Sequence, residues 1–446
     1  MAQTSVSLQS ESRAASGSGK IDSAAWLVLL AAFLGWMFDG LEQGIFPLIA
    51  RPALKQMIFH PSQAHHIQWL EVISVWIDQL GRDNIGAWMG YITAAWLLGA
   101  AVGGLAFGWL GDRIGRVRSM ALSVLVYSAF TGLGYFAQHP SHLLILRFLA
   151  ALGMGGEWSL GVALVMECWP NDRRPLLAGL IGMSANVGFA LMGTLGMIFV
   201  VTESSWRWVM LAGVSPAILT FLIRLFVPES EKWKHAVATS GPARPVHEVT
   251  SMPLLKRTIL GIALSSVALI GTWGAIQLSI APWIDKIAPG QPRAKAVGIV
   301  LIALGAIVGC FFSAIIAGKL GRRITYFLIC LLSFTATAVL FRCFHSYNAG
   351  MMVMLFVVGA LTASFFGWLP LYLPELFPTR VRATGQGIAY NTGRILAAAG
   401  AIWGGKLVDL YHEDYARSAA TVTMVYVIGM VIIWFAPETK GKPLPE

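Results

Sequence analysis

The segment "ECWPNDRR", residues 167–174, is repeated in outline by "ELFPTRVR", residues 375–382, which begins 208 positions later. Each segment places Glu, Pro and Arg at the same spacing, and each follows a long apolar run. The same charged pattern at the same point of two apolar stretches indicates that the chain consists of two related halves.

Two further echoes fall at nearly the same period. Gly115 of "GDRIGRVR" matches Gly321 of "GKLGRRI" at an offset of 206, and Pro228-Glu229 matches Pro437-Glu438 at an offset of 209. Three echoes at one period predict an internal repeat, an architecture suited to exposing a central site to each side of a membrane in turn.

The composition is that of a membrane protein. Hydrophobic residues make up 56% of the chain and charged residues only 12%, which is less charge than soluble proteins carry. Apolar runs of about 20 residues, long enough to cross a hydrocarbon core of roughly 30 Å, recur throughout. Hydropathy therefore predicts an all-α membrane protein with twelve transmembrane helices in two six-helix repeats. The predicted spans are residues 25–49, 87–110, 117–137, 142–166, 175–200, 206–227, 257–282, 295–317, 323–342, 349–372, 383–408 and 417–436.

The polar segments set the predicted domain limits. These are a tail at 1–24, a six-helix half at 25–227 with an outer loop at 50–86, a Pro- and Ser-containing linker at 228–256, a second half at 257–436 and a tail at 437–446. Most of the 32 Lys and Arg fall on one side of the predicted membrane. The positive-inside rule then predicts an inner or plasma membrane protein with both termini cytoplasmic, and it accounts for the net charge of +10 without a nucleic-acid partner.

The outer loop contains "QWLEVISVWIDQL", residues 68–80, with apolar residues at helical spacing on one face. It predicts an amphipathic helix, either lying at the membrane interface or packed over the outer mouth of the protein. Elsewhere the chain lacks any nucleophile–base set or metal-ligand spacing, and its Gly-rich stretches lack the Lys-Ser/Thr of a phosphate loop. We therefore expect neither an enzyme nor a bound cofactor or metal.

Two motifs carry a resemblance to a known family. Gly108-x-x-Gly111-Asp112-Arg113-x-Gly115-Arg116 resembles the loop 2–3 signature of the major facilitator superfamily. "RFLAALGMGGEWSLGVALVMECWPNDRRP", which starts at Arg147, is most similar to the sialate–proton and metabolite–proton symporters. The resemblance implies a monomeric secondary transporter that imports a small organic anion with protons across the lipid bilayer. The proton gradient would be its energy source.

The chain also departs from that pattern. Gly318 stands where the first loop signature has Asp112, and Asp39-Gly-Leu-Glu42 replaces the two Asp usual in aromatic-acid symporters. Glu157 is also unlike the aromatic-acid branch. We therefore rank sialic acids and small mono- or dicarboxylates above aromatic acids as substrates. A sugar porter, a passive facilitator and a non-transporting membrane sensor stay open as alternatives.

Acidic residues inside predicted membrane helices mark candidate proton sites. Asp39 and Glu42 are three residues apart, so they share a helix face that must look at a cavity or a partner rather than lipid. Arg147 is the natural partner, and the resemblance implies that Asp39 and Arg147 couple protons to transport, with Glu42 sharing the proton or meeting the substrate. The alternative is a static ion pair. Glu157 is either a second protonatable site or a helix–helix hydrogen-bond partner.

A second charged group lies at the predicted cytoplasmic helix ends. By resemblance it forms a gate that pairs in one state and separates in the other; the alternative is that its Arg residues only anchor the inner face. Its members are Asp112, Arg113, Arg116, Glu167, Arg174, Glu375 and Arg382.

Polar and aromatic residues in apolar context are candidates for substrate binding, although each can instead serve helix–helix contacts. Arg394 can pair with a substrate carboxylate in bidentate fashion, and Trp273 and Trp368 can line the cavity. The polar candidates are Asn186, Gln277, Tyr390, Asn391 and Arg394.

Overall fold

The structure is a computed structural model. It describes residues 23–59, 85–199, 201–240, 245–252, 254–288, 291, 293–412 and 414–445. The predicted amphipathic helix at 68–80 and most of the outer loop lie outside the described residues.

Every regular element in the described part of the chain is helical. The N-terminal half contains α1 (Ser23–Phe59), α2 (Ile85–Ile114), α3 (Arg116–Leu133), α4 (Pro140–Cys168), α5 (Arg174–Ile198), α6 (Trp206–Ala212) and α7 (Pro216–Phe226). Two short helices, α8 (Glu231–Ser240) and α9 (Pro245–Thr250), occupy the predicted linker.

The C-terminal half repeats this arrangement with more interruptions. It contains α10 (Leu254–Leu269), a π-helical stretch (Ile270–Gln277), α11 (Leu278–Ile287), α12 (Ala294–Leu320), α13 (Arg322–Cys343), α14 (Ala349–Ala363), α15 (Phe365–Tyr372), α16 (Arg382–Leu410), α17 (Tyr415–Val422) and α18 (Val425–Ile432). Short 3₁₀ turns fill the junctions, including Leu373–Leu376 before α16.

The twelve predicted spans are confirmed as helices. Ten helical segments in the described residues are long and apolar enough to cross a membrane. The other two spans are the α6–α7 pair, which breaks around Gly213, and α16. The predicted end of the first span at residue 49 was too early, since α1 continues to Phe59. Arg51 and Lys55 end the apolar run there, but the inward face of the helix stays buried to Met57.

The halves meet along two helix pairs, α5 with α12 and α2 with α16. Small residues allow the backbones to approach closely at these lines. A Cβ added to Gly179 of α5 would lie 2.5 Å from the carbonyl oxygen of Phe311 in α12, and one added to Gly108 of α2 would lie 3.0 Å from that of Ala383 in α16. The repeat therefore produces two bundles in contact over a narrow central seam.

Candidate functional site

One end of the seam, which we call the charged end, contains Asp112, Arg116, Glu167 and Arg382. Arg116 begins α3 and is completely buried. Its guanidinium donates to Asp112 Oδ1 at 2.6 Å and to Glu167 Oε1 at 3.3 Å, which joins α2, α3 and α4 within the N-terminal half. A buried Arg held by two carboxylates is satisfied only while all three groups stay together.

Three hydrogen bonds at the charged end cross between the halves. Arg382 Nη1 donates to Glu167 Oε1 at 3.0 Å, and the backbone N–H of Thr384 donates to Asp112 Oδ2 at 2.8 Å. Arg116 Nη2 also donates to the carbonyl oxygen of Thr379 at 2.8 Å. The two bundles are thus fastened to each other at this end by charged groups that are shielded from water.

The second copy of this network is different. Glu375 pairs with Arg322 at 2.6 and 3.0 Å, and both residues belong to the C-terminal half, so this pair does not bridge the seam. Arg174, the counterpart of Arg382, is buried without a carboxylate within 4 Å among the described ion pairs. At Gly318, which replaces Asp112, the space of a side chain is taken by Pro175: an added Cβ would lie 2.8 Å from its Cγ. The predicted gate is therefore one-sided: among the described residues, the carboxylates Asp112 and Glu167 of the first copy bond across the seam, whereas Glu375 of the second copy does not.

Arg113 was predicted as part of the same network, but it lies outside it. Its guanidinium sits 4.6 Å above the ring of Trp109 on the exposed face of α2. Residues share a helix face when they are three or four apart, whereas Asp112 and Arg113 are adjacent in sequence. Arg113 therefore lies on a different face of α2 from Asp112, which reaches Arg116.

Two carboxylates cap the helices that begin at the charged end. Glu229 accepts from the backbone N–H groups of Arg116 and Val117, and Glu438 accepts from those of Arg322 and Arg323. The chain turns into each helix through a glycine with φ near +100°, which other residues rarely adopt. Burial raises the pKa of Glu438, but the backbone N–H donors outweigh it, so the pKa lies below its ordinary value.

The linker and the C-terminal tail also pack on the charged end. Trp233 of α8 donates to the carbonyl oxygen of Asp112 at 3.2 Å, with its ring 5.7 Å below the guanidinium of Arg116. The carbonyl oxygen of Pro445 accepts from Arg382 Nη2 at 2.8 Å. Burial, followed by the charges of Arg174 and Arg382, lowers the pKa of Lys232 beside Trp233.

The carboxylates of α1 pair differently from the prediction. Arg147 of α4 forms its ion pair with Glu42, and both side chains are at most 3% exposed. Arg147 was expected to pair with the carboxylate face of α1 and does so, but through Glu42 rather than Asp39; the register of the antiparallel pair α1 and α4 decides this. Glu42 lies level with Arg147, whereas Gly35 lies against Glu157, whose Oε1 would be 1.8 Å from an added Cβ.

Asp39 instead faces Glu157. The two carboxyl groups are near enough to share a hydrogen bond, and the charged groups that act on Asp39 are Glu157, Glu42 and Arg394 of the other half. As carboxylates, neither can donate to the other, and no donor among the described residues reaches Asp39 Oδ1 or either oxygen of Glu157. A proton on one of them would supply the missing donor.

Aromatic rings join the halves beside these carboxyl groups. Trp158 of α4 stacks on Tyr390 of α16 with ring centroids 4.2 Å apart. The guanidinium of Arg394 lies 4.9 Å from the centroid of the Tyr390 ring. Trp96 of α2 faces Trp273 of the π-helical stretch at 5.8 Å. We call Asp39, Glu157, Trp158, Tyr390 and Arg394 the central cluster.

The central cluster contains polar groups that the described residues leave unpartnered. Within the cluster, the indole N–H of Trp158 is buried without a hydrogen-bond partner in this part of the chain. Outside the cluster, the same is true of the indole N–H of Trp96 and the hydroxyl of Tyr127. Buried polar atoms are normally paired, so the unpartnered Trp158 donor, on the same Tyr390 ring as the buried Arg394, is suited to an anionic guest.

The remaining predicted binding residues are partly brought to the seam. Asn391 Oδ1 accepts from Arg394 at 3.0 Å, which orients the guanidinium. Asn186 of α5 reaches Cys310 of α12 at 3.5 Å across the seam. Gln277 ends the π-helical stretch, and its side chain is outside the described part.

Trp368 does not line the central cluster, contrary to the prediction. Its ring is fully buried, stacks on Tyr372 with centroids 4.5 Å apart, and donates to the carbonyl oxygen of Arg322 at 3.0 Å. This places it at the charged end, inside the C-terminal half. An aromatic residue in an apolar run gives no sign of which helix face it occupies until the packing is known.

Sequence reasoning missed several residues of both sites. Arg322 was detectable, because it lies 206 positions after Arg116, the offset of the loop echo. Glu229 and Glu438 were found as markers of the repeat but not as helix caps. Trp158 had no sequence signal beyond its position after Glu157.

Comparisons with known proteins agree with this architecture. The family model described as Major Facilitator Superfamily matches residues 25–402. The chain is similar to the probable 4-methylmuconolactone transporter of Cupriavidus pinatubonensis, at 30% identity over 92% of this chain and 90% of that protein. It is also similar to the niacin transporter of Acinetobacter baylyi, at 26% identity over 94% and 95%. The solved structure of the proton:xylose symporter XylE matches with a TM-score of 0.75 at 18% identity, covering 95% of this chain and 98% of that one.

Proposed function

The chain belongs to the Major Facilitator Superfamily, and from that premise we propose that it carries a small organic acid together with protons through the seam between its halves. It is a multi-pass membrane transporter and not an enzyme. The observation that carries the substrate class is the central cluster, where a buried Arg394 lies over the Tyr390 ring and the stacked Trp158 has an indole N–H without a partner among the described residues.

The central cluster favours a flat, unsaturated acid. Arg394 and the indole N–H of Trp158 supply donors for a carboxylate, and the stacked Trp158 and Tyr390 rings offer a planar apolar wall. The relatives named for 4-methylmuconolactone and niacin support this class. We therefore place unsaturated and aromatic acids above sialic acid, the reverse of the order that the sequence suggested.

Counterflow uptake in proteoliposomes tests the substrate class. We would preload vesicles in turn with cis,cis-muconate, nicotinate, sialic acid, succinate or xylose and measure entry of the same labelled compound. We expect exchange of a flat acid, with exchange weakened at least tenfold in Arg394→Gln. The matched control is Arg342→Gln, an exposed Arg at the end of α13. Exchange of xylose alone would overturn the proposal in favour of a sugar porter.

We assign proton coupling to Asp39 and Glu157 rather than to Arg147. Arg147 is already neutralised by Glu42, whereas Asp39 and Glu157 are two adjoining buried carboxyl groups without an ion-pair partner in the described residues. Two like charges at short distance in a poorly solvated site are unfavourable, so the pair holds a proton between its members. An arriving substrate carboxylate that engages Arg394 would take up a positive charge that also acts on Asp39, so substrate binding and the proton on the pair would be linked.

The charged end is proposed as the inner gate. Its cross-half bonds fasten the bundles in a state closed on that side, and rocking of the halves would break them. From the Lys/Arg distribution we infer that the charged end and both termini lie in the cytoplasm, in an inner or plasma membrane.

A further inference from the structure

A groove on the lipid-facing surface of the C-terminal half, near the charged end, is separate from both sites above. It lies between α10 and α18 and has a volume of about 570 Å³. We call it the α10–α18 groove. Its lining includes Lys256, Arg257, Ile259, Ala263 and Phe435.

The two ends of the α10–α18 groove differ in polarity. Lys256 and Arg257 stand at one end, in the first turn of α10. The rest is apolar, and its rim is open to the surroundings: Ile259 is 57% exposed and Phe435 is 79% exposed. Exposed apolar residues on a membrane helix face hydrocarbon, so the apolar part of the groove lies where an acyl chain would.

The cations at the mouth of the groove are available for a ligand. Arg257 uses one N–H for the carbonyl oxygen of Leu376 at 3.2 Å, which fixes its side chain and leaves other donors of the guanidinium. Neither residue forms an ion pair in the described part of the chain. The nearest carboxylate in sequence to the groove, Glu438, is occupied by backbone N–H groups at the starts of α13 and the tail.

We propose that the α10–α18 groove binds an anionic phospholipid, with its phosphate on Lys256 and Arg257 and an acyl chain along Ile259, Ala263 and Phe435. The charge complementarity selects an anionic over a zwitterionic headgroup. The exposed apolar wall selects a lipid over a free phosphate. The bound lipid joins the seventh and the last membrane span at their charged ends and so stiffens the C-terminal bundle next to the gate.

Native mass spectrometry of the full-length protein in neutral detergent tests the proposal, with phosphatidylglycerol or phosphatidylcholine of equal chain length added. We expect at least tenfold tighter retention of phosphatidylglycerol. The double variant Lys256→Gln/Arg257→Gln should lose about thirtyfold of that affinity, the effect of removing two cations near an anionic headgroup. The control, Arg118→Gln/Lys319→Gln, removes the same charge from exposed positions elsewhere at the charged end and should retain the lipid.

A second variant separates the acyl chain from the headgroup. Ala263→Trp fills the groove and leaves both cations in place, so it should also release phosphatidylglycerol. Equal retention of both lipids, equal loss in the control pair, or unchanged binding in Ala263→Trp would each overturn the proposal. Displacement of the lipid by free glycerol 3-phosphate would show a phosphate site instead. These outcomes do not depend on the transported substrate.

Discussion

Replacing Glu167 by Gln should open the charged end. Glu167 Oε1 accepts from Arg382 of the other half at 3.0 Å and from Arg116 of its own half at 3.3 Å. Of these two bonds of Glu167, the one from Arg382 crosses between the halves and is lost when they separate. A hydrogen bond between charged groups contributes roughly 1.5–3 kcal/mol, and a neutral amide still accepts one, so the lower end applies. About 1.4 kcal/mol corresponds to a tenfold change in the ratio of open to closed molecules.

The matched control is Glu375→Gln. Glu375 occupies the equivalent position 208 residues later, is similarly buried, and pairs with Arg322 of its own half. It should weaken the C-terminal bundle without moving the ratio of open to closed molecules.

Distances between spin labels measure that ratio. Labels at Arg118 and Lys319, exposed residues of opposite halves at the charged end, would be introduced after replacing the four free cysteines. We expect a longer-distance population that grows about tenfold in Glu167→Gln relative to the parent and stays unchanged in Glu375→Gln. Equal shifts in the two variants would refute the one-sided gate, and so would no shift in Glu167→Gln.

Two predictions concern stability. The lowered pKa of Glu438 means that its carboxylate stabilises the fold above the ordinary Glu value of 4.5, and this stabilisation is lost as pH falls through the lower folded pKa. The melting temperature of the parent should therefore exceed that of Glu438→Gln near pH 7 and approach it on acidification, whereas Glu231→Gln, at an exposed pair, should match the parent throughout. Gly155→Ala should lower the melting temperature, because its Cβ would lie 1.9 Å from the carbonyl oxygen of Ala100 and overpacking costs about 1–3 kcal/mol. Gly90→Ala, with no atom of the described residues within 4 Å of the added Cβ, should leave it unchanged or raise it slightly; a fall of the same size in both would contradict the packing argument.

The sequence was informative about the helices because apolar length is a local property. Twelve spans follow from runs of about 20 apolar residues. The end of α1 was missed for a physical reason: Arg51 and Lys55 reduce the hydropathy, but Ala50, Ala53 and Leu54 keep the inner face packed. Hydropathy averages over a helix and does not separate its faces.

The site was harder to predict because partner choice depends on how helices are set against each other. The repeat identified Glu167 and Arg382 as a group, and the structure brings them together. It gave no way to tell that Arg147 lies level with Glu42 and that Asp39 lies against Glu157. That choice follows from the register of the antiparallel helices α1 and α4, which a single amino-acid sequence taken by itself does not reveal.

The most direct test of the account is simultaneous measurement of acid and proton entry into proteoliposomes under an imposed inward pH gradient, using whichever acid exchanges in counterflow. The parent should accumulate the acid with a matching proton influx, and a protonophore should abolish accumulation. In Glu157→Gln and Asp39→Asn, exchange should persist while gradient-driven accumulation and proton influx are lost. Accumulation at the parent level in both variants would show that the proton moves elsewhere and would contradict the account.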